Sequence, residues 1–339
     1  MPYYIKNNLA LAKPTRRGNL SEVELFRQML QCFKFYYGAT VIINETHTKY
    51  VGFQTTNRAN GLPIQNITRE ISDLHIITYS PKLKIARETY LQAKVANEPN
   101  GLQIDNSFKF RGDWYQYDLL SRRPELLAPL NKPPYYRLLC DPLFLQDATL
   151  PSIGSYGVFY INRNKQVDFA YQPANLLSIS SRSHISTNCQ FTIDTNLSKY
   201  DTPLRIPDLQ YTYDADEFEY AVIHNLVGSP LRCVPSVHFY LGKLFHFAYR
   251  DNSEELLREV SAGLVEFAAF LQENKGLFFM EHQVNNGETL SRYRELNRFT
   301  EYSTLPEQKE VRVENDNRND NLCKGSISLV LINTDKLAL

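Results

Sequence analysis

No apolar run in this chain approaches the roughly 18 residues that a membrane-spanning helix needs. The opening Met1-Pro2-Tyr3-Tyr4-Ile5-Lys6 lacks the charged segment, apolar stretch and cleavage site of a secretory leader, so a soluble, cytoplasmic protein without a membrane partner is expected. Cysteine is sparse. Cys32, Cys140, Cys189, Cys233 and Cys323 contain no C-x-x-C pair, so neither a zinc ribbon nor a disulfide framework is expected, and the thiols read as reduced packing groups. The 7 histidines show no H-E-x-x-H spacing, which argues against a zinc hydrolase. No P-loop or G-x-G-x-x-G cradle is present, and Gly154-Ser-Tyr-Gly157 has too few glycines and no lysine to hold a nucleotide phosphate. Net charge is absent as well: 37 Lys+Arg balance 37 Asp+Glu, so any polyanion site must be a local cleft.

What remains is ordinary globular material of 339 residues, 43 % hydrophobic and 12 % aromatic, enough for one large or two medium domains. Residues 1–20 read as a polar N-terminal arm. Ser21-Glu22-Val23-Glu24 has the S-x-x-E spacing of a capping box, and Val23, Phe26, Leu30, Phe33 and Tyr37 recur at helical spacing before Gly38, predicting a helix over 21–37. A buried strand follows over 39–43, then a hairpin: a β-rich stretch at 70–79, a turn at Ser80-Pro81-Lys82, and a long second strand at 84–95. Alternation along that strand sends Ile85, Arg87, Thr89, Leu91, Ala93 and Val95 to one face and Glu88, Tyr90, Gln92 and Lys94 to the other.

A helix within 113–127 that closes near Pro124, and a strand at 157–161, complete the order helix, strand, hairpin, helix, strand over 21–165. That order defines an α/β (α+β) core with a central mixed sheet flanked by helices. Residues 166–215 are Ser/Thr/Asn-rich and read as a connecting region. Residues 216–339 read as a mixed C-terminal region for DNA binding, partner contact or dimerisation, with helices at 217–226 and 253–272, a polar loop at 315–321 and a strand at 326–333. The stretch 237–244 suits either helix or strand.

One constellation carries chemistry. Asp73 lies near the start of the first hairpin strand, and Gln92 and Lys94 share a face of the second. A hard divalent cation wants oxygen ligands, here Asp73, the Gln92 amide oxygen and the Ala93 backbone carbonyl, with water completing the shell. Lys94 is placed to orient an attacking water and to offset charge growing on a phosphate. Acid-or-Gln, any residue, Lys triplets recur at Glu273-Asn-Lys275 and Glu307-Gln-Lys309, but neither follows an Asp-bearing strand across a turn. Glu88 lies about 13 Å back along the strand, too far to share the ion. A solvated strand face would also explain long polar side chains at Gln92 and Lys94. His75 on the face of Asp73 reads as a surface or packed histidine.

Ile71-Ser-Asp73 followed by Leu91-Gln-Ala-Lys94 resembles the PD-(D/E)xK, or restriction-endonuclease-like, nuclease superfamily, in a variant with Gln92 in place of the second acid and Ser72 in place of Pro. The resemblance covers residues 20–165. It implies Mg²⁺-dependent hydrolysis of DNA phosphodiester bonds, with Mn²⁺ able to substitute, in restriction or another defence against foreign DNA. A carboxylate from the preceding helix, Glu22 or Glu24, would complete the site, and because Glu24 has the capping role, Glu22 is the expected further metal ligand. Gln116, Arg122 and Arg123 on the following helix would face nucleic acid. From the residues themselves, Trp114, Tyr115 and Tyr117 near Lys109, Arg111, Arg122 and Arg123 suit a base-stacking and phosphate-binding surface, while core packing explains the aromatics at least as well. The partners implied are DNA and either a second copy of the chain or another protein of a defence system. The competing expectation is a non-catalytic nucleic-acid-binding or assembly subunit that keeps the fold, for which the neutral Gln92 is the sign.

Overall fold

The structure, a computed structural model, describes residues 4–12, 21–43, 50–55, 66–96, 107–127, 143, 145–162, 164–182, 187–194, 212–231, 254–274 and 327–337. The segments expected at 237–244 and 315–321, and Cys140, Cys233 and Cys323, lie outside them. In chain order the elements are α1 (Ile5–Ala10), α2 (Glu22–Phe33), β1 (Ala39–Ile42), β2 (Tyr50–Gln54), β3 (Asn66–Glu70), β4 (Leu74–Ser80), β5 (Ile85–Val95), β6 (Ser107–Asp113), α3 (Trp114–Arg122) and β7 (Leu126–Leu127). They continue with β8 (Gly154–Ile161), β9 (Val167–Pro173), β10 (Ser178–Arg182), β11 (Asn188–Asp194), β12 (Tyr213–Asp214), α4 (Ala215–Ile223), β13 (Ser229–Pro230), α5 (Glu254–Glu273) and β14 (Ser328–Asn333).

The protein is α+β. Its main sheet runs in the order β1-β14-β4-β5-β8-β9-β12, with β13 against β5. The pairs β14–β4 and β5–β8 are parallel and the others antiparallel, so the sheet is mixed. Both faces are covered, which is why β4 and β14 are buried along their whole lengths instead of alternating in burial. On one face Leu74, Ile76, Leu91, Ala93, Val330 and Ile332 pack with α1, α2 and α4. On the other, Ile77, Tyr79, Tyr90, Tyr156, Leu329 and Leu331 pack with α3 and α5. Two smaller sheets, β10-β11-β6 and β3-β2-β7, complete the second side.

The hairpin forms in the register Leu74↔Leu91 to Ser80↔Ile85, but its first strand is shorter than the expected 70–79: Glu70 belongs to β3 in another sheet, and Asp73 lies in a bend just before β4. The turn is fixed from the far end of the chain, where the Asp335 carboxylate accepts from Ser80 Oγ at 2.7 Å and from the Lys82 N–H at 2.7 Å. Close packing of helices onto the sheet needs glycine at two places. A Cβ on Gly154 would lie 2.6 Å from the Leu120 carbonyl oxygen, and one on Gly263 would lie 1.9 Å from Thr40 Oγ1. Gly154 therefore serves the packing of α3 on β8.

Several expectations change. The N-terminal arm contains α1, with Ile5 and Leu9 buried. Helix α2 ends at Phe33, four residues before the expected end, and buries Leu25, Met29, Leu30, Cys32 and Phe33, while Val23 and Tyr37 are 54 % and 74 % exposed. The apolar residues of this helix span more than one stripe, and packing against α1 and the sheet selects the stripe through Leu25 and Met29. The main sheet also crosses the divisions expected at 165 and 215: β9, β12 and β14 all belong to it, and β14 lies between β1 and β4.

Candidate functional site

Strand β5 continues past the start of β4, and the expected residues meet at that open end. The Asp73 N–H donates to the Leu91 carbonyl at 3.2 Å and its carbonyl accepts from Ser328 at 3.3 Å, so the backbone of Asp73 is tied to strands on both sides. Its Oδ2 accepts from the Ala93 N–H at 2.8 Å and from Gln92 Nε2. In an extended strand one residue's N–H and carbonyl leave by the same edge, so the Ala93 carbonyl also opens toward Asp73. Gln92 is 3 % exposed, which removes the solvated-face explanation for it. Its Oε1 accepts from Gln116 Nε2, and Gln116 Nε2 also reaches the Glu70 carbonyl at 3.5 Å.

Lys94, one alternation further on, pairs with Glu22 Oε1 at 3.2 Å. Its side chain is only 17 % exposed, so the ammonium is held within the site. Glu22 reaches this point because Ser21 starts α2 there, its Oγ accepting from the Glu24 N–H at 3.3 Å. Of the two helix carboxylates, the structure brings Glu22 to the site, while Glu24 is exposed.

Burial lifts the Asp73 carboxyl to about 7, because an ionised carboxylate loses hydration there. Lys94 and the Ala93 N–H pull it back, and the charges of Glu22 and Glu70 push it further up. The folded chain thus keeps a proton that the unfolded chain releases near pH 4, and stability falls as pH rises from about 4 to about 7. A lift of this size corresponds to at most about 4 kcal/mol. Asp73→Asn, in metal-free buffer, is therefore expected to raise the urea midpoint by an equivalent of about 2–4 kcal/mol at pH 8 and by little at pH 4. Equal midpoints for the two proteins at both pH values would contradict this burial cost.

Among the described residues no three His, Cys, Asp or Glu side chains converge to hold an ion. The Gln92 amide and the Ala93 backbone meet at Asp73, with Glu22 beside Lys94; Gln92 presents its nitrogen to Asp73 and its oxygen to Gln116, so the set would suit a small hard cation that keeps several waters, as Mg²⁺ does, once that amide turns. A buried carboxylate lifted to about 7 fits too, since an adjacent cation would offset the lost hydration that raises it.

The residues expected to face nucleic acid are each engaged inside the chain. Gln116 is 7 % exposed and bonded to Gln92. Arg122 pairs with Asp118 at 3.0 Å and with the Gln54 carbonyl, and Arg123 donates to the Ala148 carbonyl at 2.7 Å. Trp114 is buried and Tyr117 packs on Phe191. Lys109 and Arg111 on β6 are exposed. Arg69 lies over the Tyr115 ring at 5.0 Å and pairs with Asp113 at 2.9 Å. His75 is buried, stacked on Tyr90 at 4.3 Å and bonded to Glu88 at 2.9 Å, which occupies both residues in the sheet interior. The Gln116–Gln92 bond was not expected from the sequence; Asp113, whose side chain accepts from the Gln116 N–H, marks where α3 starts but carries no sign of what its first turn faces. Comparison of the chain with protein-family models, with curated proteins and with solved structures found no match.

Proposed function

We propose that this protein is a metal-dependent endonuclease that hydrolyses DNA phosphodiester bonds, built on a restriction-endonuclease-like core. The observation that carries the reading is the meeting of Asp73, Gln92, Lys94 and Glu22 where β5 outruns β4 within a mixed sheet. Helix α2 before the hairpin supplies a carboxylate and helix α3 after it supports Gln92, in keeping with the resemblance.

In this function Asp73, Gln92 and the Ala93 carbonyl would hold Mg²⁺ or Mn²⁺, which supplies an activated water and offsets phosphate charge. Lys94 Nζ orients the water and stabilises negative charge on the phosphate oxygens. Glu22 keeps Lys94 extended toward the reacting centre. Hydrolysis adds water across one P–O ester bond and leaves a phosphate monoester and an alcohol. The exposed Lys109 and Arg111 supply phosphate contacts outside the centre. Restriction, or defence against foreign DNA more broadly, is the role that fits, acting as a homodimer or with a partner protein.

The test is incubation with supercoiled plasmid, with and without Mg²⁺ or Mn²⁺. Nicked or linear product that requires the metal is expected. A second reading, a DNA-binding subunit without catalysis, is favoured by the Asp73 Oδ2 being occupied by Gln92 and Ala93. It would be established by a salt-sensitive gel shift with no product in any metal.

A further inference from the structure

We infer that Gln116 is a positioning residue, which sets the direction of the Gln92 amide and so decides whether Gln92 closes on Asp73 or turns its oxygen toward a divalent cation. This rests on the metal-site reading above and concerns how that site is prepared. The observed chain of donors runs one way: Gln116 Nε2 to Gln92 Oε1, then Gln92 Nε2 to Asp73 Oδ2. In this direction the nitrogen end of Gln92 faces the carboxylate, and its oxygen is spent on Gln116.

Ligation of a cation at Asp73 needs the opposite direction. The two ends of a primary amide have nearly the same shape, one a donor and the other an acceptor, so hydrogen-bond partners alone choose between them. The last side-chain torsion of Gln is broad, and a half turn exchanges partners at little steric cost. Once Gln92 turns, its NH₂ group faces residue 116 and needs an acceptor there. Gln116 can supply one by turning its own amide, since it too carries both ends. A group limited to donating, or an apolar one, cannot follow. Gln116 is fit for this task because it is 7 % exposed and anchored by its own N–H to the Asp113 carboxylate at 2.9 Å.

The experiment is Mn²⁺ titration of the full chain, with free Mn²⁺ read by electron paramagnetic resonance, in a cycle with Gln92→Glu. A carboxylate at 92 presents oxygen in either direction and needs no director. Gln116→Leu is expected to weaken Mn²⁺ binding about ten-fold with Gln92 present, the usual scale for loss of a ligand's supporting bond, and by less than about two-fold in Gln92→Glu. Gln116→Glu, which can only accept when ionised, is expected to bind Mn²⁺ at least as tightly as the unaltered chain. Equal losses from Gln116→Leu in both backgrounds would mean simple packing damage and overturn the inference, as would no loss in either. Failure of the underlying reading looks different: Mn²⁺ binding that is absent, or unchanged by Asp73→Ala, removes the site and the inference with it.

Discussion

Plasmid cleavage by Lys94→Ala is expected to fall by about 10²–10³-fold, and by Asp73→Ala further still, with the fold retained in both. Among the described residues Lys94 is the cation that pairs with Glu22 and acts on the Asp73 carboxyl, and its side chain is largely withdrawn from solvent. Charge stabilisation in such a place exceeds what the same ammonium gives in water, because the local dielectric is lower. Glu22→Gln keeps the shape and a polar contact to Lys94 while removing the charge, so a smaller loss of about ten-fold is expected. Single-turnover cleavage with circular dichroism alongside measures these effects. Undiminished cutting by Lys94→Ala or Asp73→Ala would remove the assignment of that residue.

The second large effect concerns stability, far from the site. Glu219 is fully buried on α4 and accepts from the Tyr4 and Ile5 N–H groups at 2.8 Å each and from the Tyr36 hydroxyl. It thereby joins the start of α1, the segment after α2, and α4. Burial raises its pKa above the usual glutamate value, and the three hydrogen bonds oppose that rise. Glu219→Ala leaves three donors without their acceptor, two of them buried, and is expected to cost about 3–5 kcal/mol, read as a lower urea midpoint. Amide exchange should rise first in α1, whose first N–H groups lose their cap. Glu219→Gln retains one acceptor oxygen and should cost less. A loss under about 1 kcal/mol for Glu219→Ala would show that α1 is held by its apolar contacts alone.

The hairpin and the proximity of its polar residues were legible in the sequence because their determinants are local. The turn at Ser80–Lys82 sets the register, and the register sets which of Asp73, Gln92 and Lys94 can meet. Glu22 was legible only as one of two choices, since the geometry that separates it from Glu24 is the seating of α2 on the sheet. Strand β14 was recognisable as a strand, but its parallel pairing with β4 joins residues about 250 positions apart, and the four apolar residues between Ser328 and Asn333 carry no information about their neighbours. Helix α1 escaped notice for a similar reason: Ile5–Ala10 has only Ile5 and Leu9 to bury, and the carboxylate that caps it comes from Glu219. Arg122 and Arg123 read as a basic face until Asp118 and two backbone carbonyls are seen to engage them.

The claim at the centre is that Asp73, Gln92, Lys94 and Glu22 form one cation-dependent hydrolytic site. Anomalous difference density from crystals soaked in Mn²⁺ tests it most directly. The expected result is a single strong peak between Asp73 and Gln92, with the Gln92 oxygen turned toward it and Lys94 alongside. Density showing the Gln92–Asp73 hydrogen bond intact and no peak beside Asp73, in crystals that bind Mn²⁺ elsewhere, would contradict it.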